Sequence, residues 1–270
     1  MRVHVIQVAY GDDEPVSRRR ERVADLVRAQ QGADLVVLPE LWAPGGFAHR
    51  RWVERAEPLD GPTVTAIAGA ARAIGAVVHA GSIVERAPEG TGPAGLGPEG
   101  RGRWNTSVLL GPDGRVHATY RKIHRFGFGA AEPALIEAGA EVVTADLPGT
   151  GVRAGLATCY DLRFPELFRS LLDAGAELVI VPAAWPQARV GHWQLLGRAR
   201  AVENQQIVVQ CNTAGRHAGV RMGGHSQVID ATGAVLAEAG EEEQVLVVDV
   251  DPAATTRWRA DFPVLTDRRL

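Results

Sequence analysis

Two hydrophobic periods alternate along the chain. Apolar residues run nearly unbroken through Val3 to Ala9, Asp34 to Leu38, Ala76 to Val84, Val152 to Thr158, Glu177 to Val181 and Gln206 to Gln210. Short runs of this kind, rich in Val and Ile, predict strands buried on both faces. Between them lie stretches with helical spacing. Ser17 to Gln31 carries Val23, Leu26 and Val27 as its stripe, and Pro62 to Ile74, a segment ending at Ala174, and Val190 to Glu203 repeat the pattern. Such alternation predicts helices packed outside a largely buried sheet. Gly111-Pro112-Asp113-Gly114 separates Asn105–Leu110 from Val116–Tyr120 and predicts a hairpin. Ala231-Thr232-Gly233, between Ser226–Asp230 and Ala234–Glu238, predicts another. A last strand is expected over Val245 to Asp251, followed by a terminal helix from Pro252.

The clustered Gly and Pro of residues 86–103 interrupt this rhythm and predict a flexible loop between two paired strands. No linker or composition break divides the chain. A single domain over residues 1–270 is therefore expected, with a C-terminal extension from about residue 252. A chain of 270 residues buries roughly three quarters of its unfolded surface and needs no metal or disulfide staple. The net charge of −3 is interspersed and gives no footprint for nucleic acid or an anionic membrane. No apolar run approaches the roughly 20 residues that span a bilayer. Met1 to Val8 reads as a strand and not as a signal peptide, and the two cysteines lie far apart. A reducing, cytoplasmic setting is the expectation.

Cys159 is the leading candidate for chemistry. It follows the strand Val152–Thr158 and opens Cys159-Tyr160-Asp161-Leu162-Arg163-Phe164-Pro165-Glu166-Leu167, read as the start of an amphipathic helix. A thiol at a strand-to-helix turn is presented to substrate, and a helix N-terminus favours thiolate. A cysteine nucleophile needs a base and a site for the charge formed after attack. His124, His192 and His225 look isolated in sequence, and a glutamate and a lysine make the better case. Glu40 ends Val36-Val37-Leu38-Pro39-Glu40, where a carboxylate at the mouth of an apolar sheet loses solvation, a setting suited to a general base. Lys122 follows a strand in Tyr120-Arg121-Lys122-Ile123-His124 and could stabilise an oxyanion. Arg163 could pair on the helix surface or bind a substrate carboxylate, and Trp185 could line an acyl pocket or fill core. Cys211, inside an apolar run, reads as a core residue. No phosphate-cradling glycine loop and no metal-ligand spacing is present, so neither a cofactor nor a metal is expected.

Leu38-Pro39-Glu40, Tyr120 to His124 and Cys159 to Leu167 resemble, in order, the three motif regions of the nitrilase superfamily, the carbon–nitrogen hydrolases. Pro182-Ala183-Ala184-Trp185-Pro186, Arg198 to Asn204 and Gly223-Gly224-His225-Ser226 agree, so the likeness covers residues 3 to 263. The resemblance implies an α/β four-layer αββα sandwich, usually paired as a homodimer or larger homo-oligomer. It also implies Cys159 as nucleophile, Glu40 as general base, and Lys122 with the Tyr160 backbone N–H as oxyanion donors. A second glutamate beyond the lysine motif falls on Glu132, preferred to Glu137 because the segment to Gly139 then aligns without a gap. Tyr160, where true nitrilases carry tryptophan, points to the branch of ω-amidases and deaminated-glutathione amidases. The activity implied is hydrolysis of a small linear non-peptide amide to acid and ammonia through a thioester. N-carbamoyl amide hydrolysis, acyl transfer to an amine, and a non-catalytic binding module are the alternatives.

Overall fold

The computed structural model describes residues 1–269. The first half builds one mixed sheet. Strand β1 (Arg2–Gln7), helix α1 (Val16–Arg28), β2 (Leu35–Val37), α2 (Pro62–Ile74) and β3 (Val77–Arg86) wind as two parallel crossovers. The strands β4 (Arg103–Leu110) and β5 (Val116–Arg121) then add antiparallel. A one-turn helix α3 (Glu132–Leu135) leads to the second sheet: β6 (Thr144–Leu147), β7 (Val152–Leu156), α4 (Pro165–Asp173), β8 (Leu178–Pro182), α5 (Val190–Asn204) and β9 (Ile207–Cys211). There β7, β8 and β9 are parallel. A two-residue ladder of β10 (Arg216–His217) and β11 (Val220–Arg221) precedes β12 (Gln227–Ile229) and β13 (Val235–Glu238). Finally β14 (Gln244–Asp249) returns to pair antiparallel with β1, and α6 (Pro252–Asp261) follows. The sheet orders are β14-β1-β2-β3-β4-β5 and β13-β12-β9-β8-β7-β6.

Side chains alternate across each strand, and both rows are buried. Val3, Val5, Leu35, Val37 and Tyr120 of the first sheet meet Leu156, Ile180, Val209 and Cys211 of the second in one inter-sheet core. The opposite row, including Ile6, Val36 and Val78, packs under Val23 and Val27 of α1 and Ile67 and Ala71 of α2. On the other side Val179, Val181 and Val208 pack under Phe168 and Leu171 of α4 and Trp193 and Ala201 of α5. This is the four-layer αββα sandwich. Buried on both faces, its central strands read in sequence as continuous apolar runs.

Helix α2 has the bounds that the periodicity predicts, Pro62 at its first position and Gly75 as a left-handed cap supplying the punctuation. The expected loop begins later, because β3 runs to Arg86 opposite Arg103 at the start of β4. Residues 87–102 are fastened at several points: Glu137 accepts the backbone N–H of Glu99 and Arg101, and Gly102 donates to the Leu96 carbonyl. The terminal helix forms as expected and is held to the body by Arg259, which donates to the Gln205 carbonyl, and by Gln205, which donates to that of Phe262.

Candidate active site

Both sheets send functional groups to one end. Glu40 lies just beyond β2, and Lys122 just beyond β5, two residues from Tyr120 and so on the same inward row. Lys122 Nζ donates to Glu40 Oε1 at 2.9 Å and to Glu132 Oε1 at 3.0 Å. Asn105, in β4, donates through Nδ2 to the same two oxygens at 2.8 and 2.9 Å. The second oxygen of Glu40 accepts the Ala184 N–H, which lies past the end of β8 in the other sheet, at 2.9 Å. Glu132 completes its own shell with the Phe126 N–H. All four side chains are buried. Glu137, the glutamate set aside in favour of Glu132, faces the 87–102 loop.

Two buried carboxylates thus share one ammonium. Burial works against the Lys122 charge, but Glu132, Glu40 and Cys159 outweigh it and hold the ammonium well above the usual lysine range. Glu132 is pushed up, because burial and the Glu40 charge together exceed the pull of Lys122.

Cys159 sits beside this cluster at φ +48°, a left-handed conformation that a non-glycine residue adopts only under external constraint. The expected helix N-terminus is not there. Cys159–Arg163 forms a 3-10 turn, and α4 begins at Pro165, since Pro is favoured at a first helical position. The thiol is 8% exposed. Burial and then Glu40 push it well above the ordinary cysteine range, while Lys122 pulls the other way. The resting thiol is therefore protonated, contrary to the thiolate that a helix N-terminus would favour, and needs a base within the site.

Cys159 opens into a cleft walled by Phe47, Phe126, Tyr160, Trp185 and Pro186. Trp185 is fixed by its indole N–H on the Arg189 carbonyl at 2.7 Å and its backbone N–H on Asn212 Oδ1 at 2.7 Å. Arg163 lies over the Trp185 ring, 4.6 Å from its centroid, and Arg189 lines the same cleft, 5.5 Å from the Phe126 centroid. Burial and then the charge of Arg189 lower the pKa of Arg163. The structure therefore brings together all seven residues singled out from the sequence. It adds Asn105, Arg189, Phe47 and Phe126. Only Asn105 left a trace in sequence, as an amide in a strand otherwise apolar or hydroxylic. His124 is not isolated: its Nδ1 lies 2.7 Å from Asp161 Oδ1, and its ring stacks on Phe164. Among the described residues no group of three or more His, Cys, Asp or Glu is placed to hold a metal. Among the described residues no helix is long and apolar enough to cross a membrane.

A thiol set against a carboxylate–ammonium–carboxylate cluster, at one end of an αββα sandwich, defines the class as a thiol-bearing carbon–nitrogen hydrolase. The family model for carbon-nitrogen hydrolase matches residues 2–260. The chain belongs to that family, in the nitrilase superfamily. It is 45% identical over 269 residues to the 2-oxoglutaramate amidase of Paenarthrobacter nicotinovorans, covering 99% of this chain and 89% of that one. Among solved structures it resembles XC1258 from Xanthomonas campestris, a CN-hydrolase superfamily protein with an arsenic adduct in its active site. The TM-score is 0.87 at 32% identity, with 100% and 97% of the two chains covered. It also resembles an amidase from Nesterenkonia sp. AN1, solved as a mutant with acrylamide added at the active-site cysteine. There the TM-score is 0.79 at 28% identity, covering 98% and 99%. The 2-oxoglutaramate amidase falls in the ω-amidase branch to which Tyr160 points.

Proposed function

We propose that this chain is an ω-amidase, releasing ammonia from the terminal amide of a small carboxylic acid through a thioester on Cys159. The observation that carries the reading is the Lys122 ammonium, bridging the buried Glu40 and Glu132 carboxylates beside the Cys159 thiol. Glu40 takes the thiol proton as sulfur attacks the amide carbon. Lys122 and the Tyr160 N–H stabilise the oxyanion, and the proton passes from Glu40 to the departing nitrogen as ammonia leaves. Water, deprotonated by Glu40, then attacks the thioester; its proton returns to the sulfur as the acid is released. Glu132 holds Lys122 in place. The reaction consumes only the amide and water, so no cofactor is needed.

Arg163 and Arg189 support a carboxylate at the far end of the substrate. Two guanidinium groups line one aromatic cleft, and neither has a carboxylate partner among the described residues. Trp185 and Tyr160 wall the short acyl chain. The 2-oxoglutaramate amidase relative agrees with a substrate of this shape. We read the chain as one cytoplasmic domain working as a homodimer; Leu195 and Val202, 66% and 53% exposed and two turns apart on the outer face of α5, support a partner there.

The test is ammonia release from a panel of ω-amides, carbamoyl amino acids and nitriles. Terminal amides bearing a distal carboxylate should be turned over best, and turnover confined to nitriles would refute the branch. Cys159→Ala should abolish turnover with the folded structure retained. Near-wild-type rates in that variant, or in Glu40→Gln, would refute the mechanism.

A further inference from the structure

The cluster explains how Glu40, Glu132 and Lys122 hold one another. It leaves open what fixes this group, carried largely by the first sheet, against a thiol carried by the second. Asp161 answers that. Two residues past Cys159 and fully buried, its carboxylate accepts four hydrogen bonds. Oδ2 takes the Tyr120 hydroxyl at 2.7 Å and the Thr158 N–H at 2.9 Å. Oδ1 takes the His124 N–H at 3.0 Å and His124 Nδ1 at 2.7 Å. Every lone pair is used, so the carboxylate needs no cation and no water.

The positions of the donors matter more than their number. Tyr120 and His124 flank Lys122 in the chain, while Thr158 and Asp161 flank Cys159. The carboxylate is a staple whose two ends bracket the ammonium and the thiol. It joins the end of β5 in one sheet to the turn after β7 in the other. The same contacts give the external constraint that Cys159 needs at φ +48°.

We infer that Asp161, acting through Tyr120, His124 and Thr158, is the positioning residue that sets the placement of the Lys122 ammonium relative to the Cys159 sulfur. It touches neither substrate nor reacting atoms. The inference rests on the proposed roles of Cys159 and Lys122.

The experiment compares wild type, Tyr120→Phe, the double variant Tyr120→Phe/His124→Phe (which keeps a ring against Phe164), Asp161→Asn and Asp161→Glu. Each is measured for kcat and KM of ammonia release, for Tm, and for the pH midpoint of Cys159 alkylation by iodoacetamide. The groups that act on that thiol are Glu40, Lys122 and Glu132. Loosening the staple weakens the hold of Lys122 on the thiolate, so the midpoint should move up. The double variant and Asp161→Asn should lose about 10- to 100-fold in kcat with KM within about threefold. Asp161→Glu should not rescue, because the longer side chain displaces the bracket. A double variant with wild-type kcat and alkylation midpoint overturns the inference, as does one that loses only Tm. Cys159→Ala and Lys122→Met, run in the same assay, keep the two readings apart. Turnover surviving in either defeats the mechanism itself, whereas turnover lost in both and kept in the staple variants defeats the staple alone.

Discussion

The two cysteines show how context decides chemistry at the residue scale. Both are buried and both titrate high. Cys211 faces the inter-sheet core, where its thiol donates to the Ile6 and Val37 carbonyls. Cys159 faces the Glu40 carboxylate, the Lys122 ammonium and an open cleft. Cys211→Ala should leave the rate unchanged and cost about 1 kcal/mol in urea unfolding, the scale of a small buried group with weak hydrogen bonds. Asn105 makes the opposite case. Its amide holds Glu40 and Glu132 at once, and removing it takes a donor from two buried carboxylates. Asn105→Ala should therefore lower stability by about 1–3 kcal/mol and depress kcat. An Asn105→Ala enzyme with an undiminished rate would show that Lys122 and the Ala184 and Phe126 N–H groups suffice to position the two glutamates. Lys122→Met has a different signature. It strands two buried carboxylates, so a loss of about 3–5 kcal/mol should accompany the loss of turnover. Only Cys159→Ala separates chemistry from folding. The sequence reading found Cys159, Glu40, Lys122 and Glu132 because each lies in or near a motif. It missed Asn105, Arg189 and the pairing of His124 with Asp161 because these depend on which strand ends meet in space.

Among the elements, the strand β3 does most to place the Glu40 turn. Its register shifts between His79 and Ser82, and Gly81 sits in that irregularity at φ +72°. A Cβ there would come within 1.9 Å of the Pro39 carbonyl oxygen, one residue before Glu40. The same irregularity presents Ser82 Oγ to the Leu41 N–H and the Ala80 carbonyl to the Trp42 indole. Gly81→Ala should displace the turn, costing roughly 2 kcal/mol or more and lowering kcat, which thermal unfolding and ammonia release would measure together. Retained activity with full stability would mean that the turn adapts without moving Glu40. This irregularity is hidden in sequence, where Ala76 to Val84 reads as one strand with a single glycine. The parallel strands and α2 were legible because burial on both faces and helical capping leave strong local patterns. Strand β6 and helix α3 were not. Neither carries a doubly buried apolar run or a helical stripe, and tertiary contacts form them: β6 by pairing with β7, and α3 through the shell around Glu132. The 3-10 turn after Cys159 was read as helix because its apolar spacing continues into α4.

For the whole molecule, folding buries two histidines whose charging opposes it, one in the first sheet and one in the β10–β11 ladder. His79 in β3 is fully buried, accepts the Gly81 N–H through Nδ1, and is lowered to about 3 by burial. His217 in β10 accepts the Phe47 N–H through Nε2 and is lowered to about 4, by burial and then by Arg19. The unfolded chain takes up both protons near pH 6.5, the native state only near 3 and 4. Between those limits the unfolded state binds more protons, so stability rises with pH there. The contribution is complete above pH 6.5 and is lost as pH falls through 4 and then 3. Glu132 has the opposite sign: its folded pKa is raised, so the native state holds its proton longer and stability drops as pH rises above its unfolded value. The two histidines should set the net slope, which then favours unfolding in acid. The unfolding free energy from urea titrations should fall steadily from pH 6.5 to 4, by an amount on the order of several kcal/mol. His79→Gln, which keeps an acceptor for Gly81 but cannot be charged, should flatten that decline while leaving the midpoint at pH 8 close to wild type. An unchanged acid slope in His79→Gln would rule out the His79 imidazole and assign the acid sensitivity to His217 or to the surface carboxylates paired with arginines, such as Glu14 with Arg22.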